Sequence, residues 1–271
     1  MGQRIITGLG LIAILLVLLY FGGVVMCAAV LICVCISVYE EQKALRGVGQ
    51  RAPVWPTWVG ILLGIPGILV LGAKVVLPLL AVVCGLNILC VLLREEPRLE
   101  DILTSTMPTL TIVMPGLCVM AIAQVQPLEL QRILLIFLFV IPVACDTLAY
   151  FIGSWLRGPK LCPKVSPNKT VSGAVAGMAG ALLAAVIIGA VAKGTCSSAV
   201  QAQLPGWGAI ILLGVIGGIA GQLGDLFASM VKRYCGIKDF SNLFPAHGGM
   251  LDRLDSILFM AIVMYCFHIL M

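Results

Sequence analysis

Charge is scarce in this chain. Asp, Glu, Lys and Arg together supply 11% of its 271 residues, where soluble domains carry about a quarter. With 61% hydrophobic residues and a mean hydropathy of +1.13, an ordinary water-soluble globule is excluded. Histidine is limited to two residues, and no Ser-His-Asp or Cys-His arrangement stands out, so catalysis through a protein nucleophile has little to work with. The 11 cysteines include no Cys-x-x-Cys pair and sit mostly in apolar stretches. That argues against a disulfide framework or a zinc site and for buried free thiols. The net charge of +5 is modest, and its basic residues lie between apolar runs rather than in one patch, so no nucleic-acid partner is expected.

What the chain has instead is apolar length. One bilayer crossing takes roughly 20 apolar residues, so nearly the whole chain is consumed by membrane, and the expected fold class is an all-α polytopic integral membrane protein. Residues 5–39 carry no charge; as one helix they would run about 52 Å, well beyond a hydrocarbon core of about 30 Å. The Gly22-Gly23 pair offers a break, giving two helices. Arg4 before this run resembles a signal peptide, but the run is long, lacks a clear cleavage site and continues into a second span, so a retained anchor is expected. Further spans are expected over 57–72, 75–93, 102–125, 133–155, 170–192, 207–231 and 254–271, about nine in all. Segments around Pro53 and Pro56 and over 94–101 read as connecting loops.

Basic residues test the count, because inner loops are enriched in them. With the N-terminus inside, the inner loops hold 14 Lys and Arg and the outer loops only Lys74, Arg132 and Lys193. The expected topology therefore has a cytoplasmic N-terminus and an outside C-terminus. Gly60/Gly64, Gly173/Gly177 and Gly217/Gly221 have the spacing of close helix packing. Packing within the chain is the favoured reading; a dimer seam, and so a homodimer, is the alternative.

Two inner regions in the second half carry most of the chemistry. The first runs from Asp146 to Gly153 and on through Gly158 to Thr170; the second runs from Gly224-Asp225 through Ser229, Lys232, Arg233, Lys238 and Asp239 to His247-Gly248-Gly249, Asp252, Arg253 and Asp255. Ionised Asp146 and Asp225 in apolar helices cost at least a few kcal/mol unless paired, solvated or bound to a cation. A salt bridge to a neighbouring Lys or Arg is the plain explanation. Asp252 and Asp255, three residues apart on one helix face, make three carboxylates with Asp225, which suits a hard cation. Magnesium bridges one or two carboxylates to substrate phosphates, and the surrounding cations and the glycine-rich helix start offer phosphate donors. The pattern is not a P-loop, because Pro159 stands where the lysine should follow Gly158. His247 alone is compatible with a cap, a base or a phosphate donor, and His268 is taken as non-catalytic.

The run Ser229-x-x-Lys232-Arg233-x4-Lys238-Asp239, followed by Pro245-x-His247-Gly248-Gly249-x-x-Asp252-Arg253-x-Asp255, resembles the C-terminal signature of the phosphatidate cytidylyltransferases, or CDP-diacylglycerol synthases. The stretches Asp146 to Phe151 and Ser166 to Thr170 are similar to that family's upstream motifs. One position departs: Ser172 stands where the family commonly has Glu. The resemblance covers roughly 146–256 and implies transfer of a cytidylyl group from CTP to phosphatidic acid, releasing pyrophosphate. It implies Asp225 and Asp252 as magnesium ligands, with Asp255 either a further ligand or a group supporting one, for one ion or with a second cation, and Lys232, Arg233, Lys238 and Arg253 at phosphates. Ser229, Asn168 and Lys169 would orient nucleotide or headgroup, Asp146 would hold a cation or line the cavity, and Asp239, His247, Gly248 and Gly249 would complete the substrate site. On this basis residues 1–131, with five spans, serve as scaffold or lipid access, and 132–271 form the catalytic region. The expected location is a bacterial plasma membrane. Two rivals remain: a CTP-dependent polyprenol or dolichol kinase, and an ion-coupled transporter, which also uses intramembrane carboxylates but commonly at the midplane and with an inverted repeat.

Overall fold

The computed structural model describes residues 2–51, 53–244 and 248–270, with side chains from residue 8 onward. The chain folds as two compact units, one of Met1–Gln124 with Tyr234–Arg253 and the other of Val125–Arg233 with Leu254–Met271.

The first unit begins with α1 (Gly2–Phe21) and α2 (Gly23–Gly47). The break falls at the glycine pair, with φ of 57° at Gly22 and 47° at Gly23, a region closed to most side chains. Helices α3 (Trp55–Leu71) and α4 (Val76–Leu92) are joined by a single 3-10 turn, Gly72–Val75. They run antiparallel, since Gly60 faces Val83, Gly64 faces Leu79 and Gly67 faces Val75. Pro56 lies in the first turn of α3 rather than in a loop, where its missing N–H costs nothing.

The next span is built from α5 (Leu99–Pro108), a π-helical turn (Thr109–Val113) and α6 (Met114–Ile122), and is the most buried of the apolar segments. Pro115 cannot donate to the carbonyl one turn back, and the helix widens just before it. At this widened turn Thr109 Oγ1 pairs with Thr57 Oγ1 at 3.0 Å and accepts from Asn87 Nδ2 at 3.3 Å. In an apolar interior such contacts fasten α3, α4 and the π turn together.

In the second unit α7 (Leu128–Leu156) and α8 (Val171–Thr195) form an antiparallel pair connected by the hairpin β1 (Lys160–Cys162) and β2 (Ser166–Thr170). The sequence suggested only a loop here. The helices touch backbone to backbone: a Cβ at Gly173 would lie 2.8 Å from the Ala149 carbonyl oxygen, and one at Gly177 2.9 Å from that of Cys145. After the short α9 (Ser198–Gln201) come α10 (Trp207–Tyr234) and α11 (Leu251–Leu270). Gly217 and Gly221 pack on α7 and α11. All three glycine pairs singled out by spacing thus serve packing within the chain.

Seven segments are long and apolar enough to cross a membrane, with Gly8–Phe21 a shorter apolar helix. One of the seven, Trp55–Leu92, is the α3/α4 hairpin, so among the described residues nine apolar rods are present. The protein is a helical, polytopic integral membrane protein. All 11 cysteines are free thiols.

Candidate active site

Asp146 on α7, Asp225 on α10 and Asp255 on α11 belong to the second unit. Asp225 is close enough to each of the other two to act on it electrostatically. Local packing explains this convergence. Gly224 lets α10 run against the Asp255 carbonyl and the Phe259 ring of α11, which places the next residue, Asp225, at the seam. Asp225 pairs with Lys169 Nζ at 2.5 Å and accepts from Ser229 Oγ at 3.4 Å. The ion pair that offered the plain explanation is therefore present. Ser256 Oγ donates to Asp146 at 3.3 Å, and Lys232 acts on Asp255.

Asp146 precedes the end of α7 by ten residues and Asp225 the end of α10 by nine, about 15 Å at 1.5 Å per residue. Both sit well inside their helices, and Asp146 is exposed there. An ionised carboxylate that faced hydrocarbon would cost several kcal/mol, so the exposure of Asp146 suits a face open to water or to a polar ligand.

The cation that neutralises Asp225 comes from the hairpin. Lys169 lies near the end of β2, beside exposed Asn168, and Thr170 caps α8 by accepting from Gly173 N at 3.1 Å. Ser172 shares a 3.2 Å hydrogen bond with Thr170 and lies over Gly158. Arg233 donates to the Val165 carbonyl at 3.3 Å, which ties the hairpin to α10.

The remaining signature residues belong to the first unit. Asp252 is buried, and its Oδ2 accepts from Phe240 N at 2.8 Å and Gly249 N at 2.9 Å. Gly248, at φ 82°, would place a Cβ 2.9 Å from the same oxygen, so glycine is required there twice over. Lys238, Asp239 and Arg253 are exposed. His247 lies outside the described residues. Ser256 and Glu40, a buried carboxylate of α2 bonded to the loop before α11, were not singled out from sequence. The only signal for Glu40 was its place as the first charge after the long apolar run.

Among the described residues no group of three or more His, Cys, Asp or Glu side chains is arranged to hold a metal ion by itself. Magnesium does not demand such a cage, because substrate phosphates and water complete its shell. Asp146, Asp225 and Asp255 offer carboxylate oxygens of the kind such an ion takes.

The family model described as "Cytidylyltransferase family" matches residues 2–271. The chain belongs to the cytidylyltransferase family. It is 43% identical over 133 residues to a protein of Brucella abortus named phosphatidate cytidylyltransferase, covering 49% of this chain and 46% of that one. A protein of the same name from Bacillus subtilis is 36% identical over 158 residues, covering 58% and 55%. A third, from Haemophilus influenzae, is 40% identical over 124 residues, covering 46% and 41%. The chain spans about half the length of the curated relatives it matches.

Proposed function

We propose that this protein transfers the cytidylyl group of CTP to phosphatidic acid, giving CDP-diacylglycerol and pyrophosphate, at the inner face of a bacterial plasma membrane. The observation that carries this reading is the convergence of exposed Asp146 with Asp225, Asp255 and Lys169 within apolar helices. Family membership and the relatives' shared name support it.

The chemistry asks for positioning and charge control. An ionised oxygen of the lipid phosphate attacks the α phosphorus of CTP, the new P–O bond forms in line, and the bond to the bridging oxygen breaks with its electron pair leaving on pyrophosphate. The nucleophile is already ionised near neutral pH, so no strong base is required. Asp225 and Asp255 would hold magnesium, with Asp146 beside them, and such an ion neutralises phosphate charge when bound. Lys169, now paired with Asp225, would be within the same site to meet substrate phosphate, and Lys232 and Arg233, in the last turn of α10, would supply further positive charge. Ser229 and Asn168 orient the headgroup or nucleotide. Lys238 and Arg253 are assigned to phosphate from the signature, and Asp252 shapes the loop that precedes it.

The test uses purified protein, phosphatidic acid vesicles and CTP labelled at either the α or the γ phosphorus. Alpha label should enter the organic phase in the presence of magnesium and stop doing so with a chelator. Transfer of γ label instead would mean a lipid kinase, and transfer of neither would end the proposal.

A further inference from the structure

The loop from Phe240 to Leu251 carries the centre of the signature, yet part of its backbone is fastened by a residue far away in sequence. Glu40, buried near the cytoplasmic end of α2 as oriented by the basic loops, accepts from Met250 N at 3.0 Å and Leu251 N at 2.9 Å, and from Ser241 Oγ at 2.5 Å. Two of these donors are backbone groups at the start of α11, where amides have no partner inside the helix and the helix dipole favours an anion. The third reaches the opposite strand of the loop. A Cβ at Gly249 would fall 2.6 to 2.8 Å from the Glu40 carboxylate atoms. That carboxylate is held by three donors and cannot swing aside cheaply. The second glycine of the signature pair thus answers to Glu40 as the first answers to Asp252.

We infer that Glu40 is a positioning residue for the transferase reaction: from α2 it holds the loop between Asp239 and α11, and so the placing of Lys238 and Asp239 just before that loop and of Arg253 just after it. This rests on the function proposed above. Two carboxylates divide the task, with Asp252 gathering Phe240 and Gly249 from the first turn of α11 and Glu40 gathering Ser241, Met250 and Leu251 from α2.

The experiment compares the full-length wild type with Glu40→Gln, Glu40→Ala, Gly249→Ala and the double variant Glu40→Ala/Gly249→Ala. A glutamine presents one amide N–H toward donors, so a bond is replaced by a clash of like groups. KM for CTP should rise on the order of tenfold in Glu40→Gln, and trypsin should cut after exposed Lys238 several-fold faster. Partial misfolding would lower kcat alone. In the double variant the losses should overlap rather than add, because removing Glu40 clears the space the new methyl needs. An unchanged KM, an unchanged cleavage rate or strictly additive losses overturns the inference. If the wild type transfers no cytidylyl group, the proposed function fails, while the cleavage rates and the stabilities of the five proteins still decide whether Glu40 holds the loop.

Discussion

At the scale of single residues, Asp225 and Lys169 are the most informative pair. Their side chains are 29% and 27% exposed, so the ion pair contributes no more than about 1 kcal/mol to stability. Lys169→Gln should leave the melting temperature close to wild type while lowering CTP-dependent transfer at least about tenfold, measured as label in lipid. Asp225→Asn should cost at least about a hundredfold in kcat with little change in melting temperature. Asp252 behaves differently. Its Oδ2 already serves two backbone amides, so Asp252→Asn should both slow transfer and lower the melting temperature; a loss of activity there would not by itself identify a metal ligand. The acidic and basic residues were legible in sequence because charge is rare in an apolar chain. Their partners were not. Nothing in residue order pairs Lys169 with Asp225 or Glu40 with Met250, since these contacts depend on which helix faces meet.

At the scale of elements, the seams are set by glycine. Gly173→Ala should destabilise the protein by about 1–3 kcal/mol, read by thermal unfolding in detergent, because its methyl would meet the Ala149 carbonyl of α7, which cannot move without moving the helix. Gly194→Ala, near the end of α8 with nothing within 4 Å, should be neutral or slightly stabilising. The polar knot at the π turn makes a separate forecast: Thr109→Val removes hydrogen bonds to Thr57 and Asn87 and should cost about 1 kcal/mol in the same assay. Helices, their number and the Gly22-Gly23 break were readable because apolar run length and glycine act locally. The π turn was not, since Pro108 and Pro115 in a hydrophobic run signal a disturbance without saying which hydrogen-bond register replaces the ordinary one. The hairpin was likewise hidden, because Lys160–Cys162 and Ser166–Thr170 are short and rich in charge, proline and turn-forming residues.

At the scale of the whole molecule, apolar composition alone located the chain in the membrane, and the family model spans almost its full length. From the unequal distribution of Lys and Arg, a cytoplasmic N-terminus and hairpin are expected. A fluorescent reporter inserted after Lys164 should fold and fluoresce, and a phosphatase reporter that works only outside should be active when inserted after Lys193; the reverse pattern would invert the topology. Sequence order did not foretell that Tyr234–Arg253 folds with the N-terminal unit. That assignment arises from contacts such as Gln50 with Tyr234 and Glu40 with the amides before α11, each joining positions about two hundred residues apart in the numbering.

The α7/α8 pair leaves no room for either helix to roll about its axis, because carbonyl oxygens and Cα atoms meet directly along Gly153, Gly173, Gly177 and Gly180. Asp146 follows Cys145, which faces that seam, by a single residue, so its bearing around α7 is locked by main chain rather than by adjustable side chains. Lys169, at the end of a long flexible stem on a two-stranded finger, has the opposite character. In the reaction proposed above, headgroups that differ in size or charge should therefore be met by the Lys169 side chain, while Asp146 keeps its bearing.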